Sequence, residues 1–207
     1  MRIYLLSIVF LFLVSCRTND NKENISKSEI TLLSEEIIKN PNDINALLDR
    51  VDYNLEKGKY ESALFDLQQC LLLDSLNSKC NYLASLSYFE ISKYDKTKVD
   101  YGKLALKHIR NSIKNNEKNY LALALYGEIN VAYARYKEAI DFFNKSLEIE
   151  YNQYETHHLM GYAFKKLDQL DVAINCFQNS ININPDYLQS YIEAALVYQL
   201  KNDTLAE

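Results

Sequence analysis

Apolar residues recur three and four positions apart through most of the chain, the spacing that gathers side chains on one face of an α-helix. Leu64, Leu67 and Leu71 form one such stripe; Leu106, Ile109 and Ile113 form the next, followed by Ile140, Phe143 and Leu147, and by Ile174, Phe177 and Ile181. The stripes themselves repeat. Gly127 and Gly161 lie thirty-four positions apart, as do Tyr136 and Leu170, Ala139 and Ala173, Ile140 and Ile174, Phe143 and Phe177, and Ser146 and Ser180. One period earlier come Ala105 and Ser112, but the step back to Ala63 and Cys70 is longer than the period by eight positions, so that unit holds an insertion. The polar run Lys93–Tyr101 is predicted to be this insertion, lying between the two helices of its unit.

Each unit reads as two helices. Three residues past its central apolar anchor, every second helix carries a small residue: Cys70, Ser112, Ser146 or Ser180. The first helices carry Ser85, Gly127, Gly161 and Ala195 at a comparable site, with Val51 as the exception. Small residues belong where two helix backbones approach closely. Units of this kind bury their apolar faces only against neighbours, so the array needs helices at both ends.

The sequence resembles the tetratricopeptide repeat (TPR) family. Residues 154–187 match it best: Met160-Gly161, Phe164, Ala173, Phe177 and Pro185 stand where the family has Leu-Gly, Tyr, Ala, Phe and Pro. The other units are 44–77, 78–119 and 120–153; Leu47, Asn81, Leu123 and His157 replace the family's early tryptophan. The resemblance implies an all-α, right-handed α-solenoid of TPR helix-turn-helix repeats. Residues 28–43 are then an N-terminal capping helix, and residues 188–207 a C-terminal helix and tail.

The start of the chain has a different character. Arg2 precedes an apolar run, Ile3–Val14, too short for the roughly 20 residues of a membrane span. It ends Leu13-Val14-Ser15-Cys16, which resembles the lipobox of bacterial lipoproteins. That resemblance implies a signal peptide over residues 1–15, acyl chains on Cys16, and a tether over residues 16–27. The expected location is the bacterial outer membrane, lipid-anchored and facing the periplasm or the cell surface.

Composition narrows the function. The chain has 207 residues, of which 4 are Gly and 2 are Pro, where average usage would give roughly 25. No two glycines lie closer than Gly102 and Gly127, which excludes a Gly-rich phosphate loop. A net charge of −5 disfavours nucleic acid. HExxH, CxxC, GxSxG and P-loop patterns are absent from the sequence. His157 and His158 are neighbours whose side chains leave a helix about 100° apart, so they do not share a metal readily. The reading is a non-enzyme without metal or cofactor. After removal of residues 1–15, Cys70, Cys80 and Cys176 join Cys16. Two readings stand for Cys70: a free thiol packed as a small residue, or a disulfide with Cys80.

The resemblance also implies a concave groove lined by the first helices. Its candidate residues are Leu48, Asp52, Tyr82, Leu86, Phe89, Glu128, Val131, His158, Tyr162, Lys165 and Lys166, with Leu121, Ala124 and Glu155 beside them. These are mostly apolar or acidic, which does not suit the family's carboxylate clamp for chaperone C-termini. The expected occupant is a peptide segment or helix of a protein partner. The segment Tyr191–Leu200 is apolar nearly all round, so Ile192, Leu196 and Leu200 are expected to dock a partner or a second copy. The leading expectation is an interaction scaffold in outer-membrane or pilus assembly. A non-catalytic regulatory subunit of an envelope enzyme and a structural spacer are the alternatives.

Overall fold

The computed structural model describes residues 19–95 and 97–204, and these form ten α-helices without a strand. In chain order they are α1 (Asn19–Lys39), α2 (Ile44–Glu56), α3 (Tyr60–Leu73), α4 (Ser78–Tyr94), α5 (Val99–Asn115), α6 (Tyr120–Ala132), α7 (Tyr136–Ile149), α8 (Tyr154–Lys166), α9 (Leu170–Ile183) and α10 (Leu188–Thr204). Successive helices pack as hairpins, and each hairpin packs on the next to give an α-solenoid. The lipobox and Cys16 lie outside the described residues. No helix among the described residues is long and apolar enough to cross a membrane.

Short polar residues shape the turns. Between hairpins, the carboxylate or amide oxygen of Asp74, Asn116, Glu150 and Asn184 accepts from the backbone N–H two residues on, at 3.1, 3.1, 2.9 and 3.1 Å. Asp43, Asn77 and Asn119 then cap the following helices by accepting backbone N–H groups of their first turns. Within three hairpins the turn passes through a left-handed residue: Gly58, Ala134 and Asp168, with φ of 67°, 56° and 59°.

The core follows the repeat. Leu67, Ile109, Phe143 and Phe177 are fully buried, as are Cys70, Ser112, Ser146 and Ser180 one turn further on. The anchor of each second helix lands on the small site of the first. A Cβ at Gly127 would stand 2.4 Å from the Phe143 ring, and one at Gly161 would stand 2.8 Å from Phe177. The equivalent pairs are Ser85 with Ile109 and Val51 with Leu67, so a bulkier floor accompanies a slimmer anchor. The buried hydroxyls are satisfied: Ser112 donates to the Ser78 carbonyl at 2.9 Å, Ser146 to the Tyr120 carbonyl at 2.8 Å, and Ser180 pairs with Ser190 at 2.8 Å.

Those serines also mark the junctions between hairpins, where the equivalent positions of adjoining helices lie ten apart in sequence: Ser112 and Ala122, Ser146 and Thr156, Ser180 and Ser190. All six are buried. At the first junction the same two places hold Cys70 and Cys80, which form a disulfide with a Cα–Cα distance of 6.5 Å. Of the two readings for Cys70, the structure adopts the disulfide. Cys176 is a buried free thiol, its pKa pushed up to about 11 by burial.

Two boundaries differ from the sequence expectation. The extra residues of the second unit do not form a polar loop between helices. α4 and α5 each have 17 residues, against 13 and 14 in the other hairpins, and one further residue enlarges the turn. Lys93, on the lengthened α4, pairs with Glu90 at 2.5 Å, and Lys98, in the turn just before α5, pairs with Glu61 at 3.1 Å. At the N-terminus α1 begins at Asn19, within the segment read as a tether. α1 is tied down by Arg50, which donates to Ser34 at 3.0 Å while holding Asp66 through 2.8 and 2.6 Å contacts. Asp66 is 2% exposed, so this pair joins α1, α2 and α3 in a desolvated setting.

The fit between floor and anchor is testable. Gly127→Ser should cost about 1–3 kcal/mol by overpacking against Phe143. In a Phe143→Ile background, which copies the Ser85–Ile109 pair, most of that added cost should vanish. Urea unfolding of the two single variants and the double variant measures the coupling.

Candidate functional site: a groove on the first helices

α6 touches both α4 and α8, so the first helices form a continuous face. Its middle is a cleft of about 560 Å³. Tyr82 and Leu86 enter from α4, Leu121, Ala124 and Glu128 from α6, and Glu155 and Leu159 from α8. Tyr82, Leu86 and Glu128 were candidates from sequence, and the fold brings them together. Tyr120, Tyr154, Glu150 and Leu159 line the same cleft and were not anticipated. Tyr120 and Tyr154 stand one full period apart, a coincidence that would have revealed them.

The remaining candidates scatter. Leu48 is 7% exposed and Phe89 is 4% exposed; both belong to the core rather than the groove, because neighbouring apolar side chains close over them. Asp52 is partly exposed and pairs with Lys79 at 3.1 Å, beyond the cleft. Val131 is half-buried near the end of α6. Around α8 a second cluster forms. His158 lies against Phe177 and Tyr187 and shares a 3.0 Å hydrogen bond with Ser190, while Tyr162 receives Lys165 and Lys166 over its ring. Lys165 pairs with Glu193 of α10. Along α10, Ser190 and Val197 are fully buried, whereas Ile192, Leu196 and Leu200, the residues expected to dock a partner or a second copy, are exposed.

The cleft is acidic. Three of the described residues lining it are glutamates, and none is Lys, Arg or His. Burial raises the Glu128 carboxyl above the usual carboxylate range, against the pull of Lys93, whose ammonium lies 3.3 Å away. Burial, reinforced by the charges of Glu128, Glu155 and Asp52, pushes Tyr82 up to about 12, so its hydroxyl stays protonated. Among α3, α4 and α5 lies a smaller apolar cleft of about 370 Å³, lined by residues including Leu64, Leu71, Tyr88 and His108.

The three histidines are separate structural groups. His108 shares a 3.0 Å hydrogen bond with Asn81 and stacks on Tyr88; His157 is 3% exposed and donates to the Tyr151 carbonyl at 3.1 Å. Among the described residues no group of three or more His, Cys, Asp and Glu side chains is placed to hold a metal.

Residues 154–187 match the family model described as tetratricopeptide repeat. Over 137 residues the chain is 28% identical to the TPR repeat-containing protein MJ1428 of Methanocaldococcus jannaschii, covering 65% of this chain but 22% of that relative. The crystal structure of TTC0263, a thermophilic TPR protein of Thermus thermophilus, superposes with a TM-score of 0.68 at 16% identity, over 86% of this chain and 93% of that one. YrrB, described as a TPR protein with an unusual peptide-binding site, gives 0.59 at 16% identity, over 83% and 84% of the two chains. At such identities the likeness is one of fold. Together with the repeat geometry, these matches give the chain the tetratricopeptide-repeat fold, and residues 154–187 match the family model itself.

Burial lowers the pKa of His108, His157 and His158 below the ordinary value near 6.5. The unfolded chain therefore takes up protons first, so this contribution to stability is full above pH ~6.5 and is lost as pH falls through the folded values. His157→Gln should flatten the loss of unfolding free energy between about pH 7 and pH 5, by about 1.4 kcal/mol for each pH unit by which the folded value is depressed. Urea titrations at the two pH values measure it, and an unchanged slope contradicts it.

Proposed function

We propose that this chain is a non-catalytic scaffold of the bacterial envelope, anchored by lipid on Cys16, that holds an extended segment of a partner protein in the groove of its first helices. The observation that carries the reading is the cleft of about 560 Å³ at the centre of that face, with an apolar floor from Leu86, Leu125 and Leu159 and aromatic walls. Apolar and aromatic anchors in such a trough supply most of the binding energy for a docked segment. The anchor rests on the lipobox-like Leu13-Val14-Ser15-Cys16 run, and assembly of an outer-membrane or pilus machine is the setting it suits.

The groove and the anchor are tested separately. A photo-crosslinking residue at Leu121, inside the cleft, should capture the partner in intact cells, whereas one at Phe65, which is 72% exposed on a second helix, should not. Tyr82→Ala combined with Leu121→Lys should reduce partner affinity about tenfold or more with helicity retained. Equal capture from both faces, or undiminished affinity, contradicts the groove. Cys16→Ser should move the chain from the membrane fraction to the soluble fraction, and continued sedimentation with membranes contradicts the anchor.

A further inference from the structure

We infer that the cleft between α4, α6 and α8 receives an arginine side chain of the bound segment, with Glu128 as its carboxylate partner. The inference rests on the groove reading above and adds the chemistry of the ligand. The cleft carries Glu128, Glu150 and Glu155 with no basic residue among the described residues that line it, and Tyr82, Tyr120 and Tyr154 stand in its walls. Acidic groups interleaved with aromatic faces match a guanidinium, which takes a carboxylate through two parallel N–H donors and stacks on aromatic rings.

The glutamates are not equally free. Glu150 accepts the Asn152 backbone N–H at 2.9 Å, closing the turn before α8. Glu155 is exposed and accepts from the Tyr154 hydroxyl at 3.3 Å. Glu128 sits deeper, its side chain 33% exposed. Its nearest cation is shared: Lys93 lies 2.5 Å from Glu90 but 3.3 Å from Oε1 of Glu128. An ammonium held more closely by Glu90 leaves acceptor positions on Glu128 for an incoming cation. Lys93 also lies 4.8 Å from the centre of the Phe89 ring, which keeps it at the rim toward α4. The Tyr82 hydroxyl experiences the same negative field, since Glu128, Glu155 and Asp52 all act to retain its proton. An acidic or neutral segment would leave these carboxylates desolvated and uncompensated, whereas an arginine neutralises them.

The test uses the full chain and fluorescein-labelled, amidated peptides of sequence Gly-Leu-Gly-Leu-Arg-Leu-Gly-Leu-Gly, with citrulline or Glu replacing the Arg in matched controls. Citrulline keeps the shape and removes the charge. Anisotropy titrations should show the arginine peptide binding about five- to tenfold more tightly than the citrulline peptide, with the Glu peptide weakest. Glu128→Gln should abolish the preference, bringing the arginine and citrulline peptides to equal affinity. Equal binding of the arginine and citrulline peptides, or a preference that survives Glu128→Gln, overturns the inference while the groove reading stands. Absence of arginine-peptide binding also overturns it, and the Leu121 crosslink then decides the groove on its own. Should Glu128→Gln lose helicity, Glu155→Gln substitutes: a reduced preference supports the site, and an unreduced one overturns it.

Discussion

The close crossing of the two helices in each hairpin governs the molecule. Gly127 and Gly161 let Phe143 and Phe177 descend until ring carbons occupy the space a Cβ would need. In the earlier hairpins, where the floor is Ser85 or Val51, the anchor shrinks to Ile109 or Leu67, all fully buried. Packed interiors tolerate little excess volume. Between the Ser85–Ile109 hairpin and the two Gly–Phe hairpins floor and anchor trade volume, whereas Val51 with Leu67 makes a bulkier pair. Hairpins of unequal sequence nonetheless stack with a common phase, each packed on the next.

That phase creates the site. With every first helix turned to the same side, Tyr82, Glu128 and Glu155, drawn from three separate hairpins, become walls of one cleft. Acidic groups there are incompletely offset, since Lys93 is divided between Glu90 and Glu128. Elsewhere the same face is quieter: Asp52 meets Lys79, and Lys165 meets Glu193. Charge balance thus varies along the groove and singles out its middle.

The period, the apolar stripes and the small-residue sites were legible in the sequence because each maps onto a repeated contact. Less legible was anything that depends on how a position is covered in three dimensions. Leu48 and Phe89 occupy groove-like positions on the helical wheel, yet their neighbours close over them. The charged stretch 93–101 looked like a loop because solvated helix surface and solvated loop share a composition; the structure keeps only its middle as a turn and puts its two ends on α4 and α5. Tyr120 and Tyr154 escaped notice because they start their helices, and only the packing of adjacent hairpins turns helix starts into cleft walls. The Cys70–Cys80 pairing required the junction geometry, in which residues ten apart face each other.

That geometry ties the account together, since the position of the disulfide recurs as a buried pair of residues at each later junction. Ser180 and Ser190 already meet at 2.8 Å in the place that Cys70 and Cys80 occupy three hairpins earlier. The most direct measurement is oxidation of a Ser180→Cys, Ser190→Cys variant in a Cys176→Ala background, read by non-reducing peptide mass analysis. Shared phase throughout the stack predicts a 180–190 crosslink alongside the 70–80 one, with helicity unchanged. Two thiols that stay reduced at 180 and 190 while 70 and 80 are bridged would contradict it.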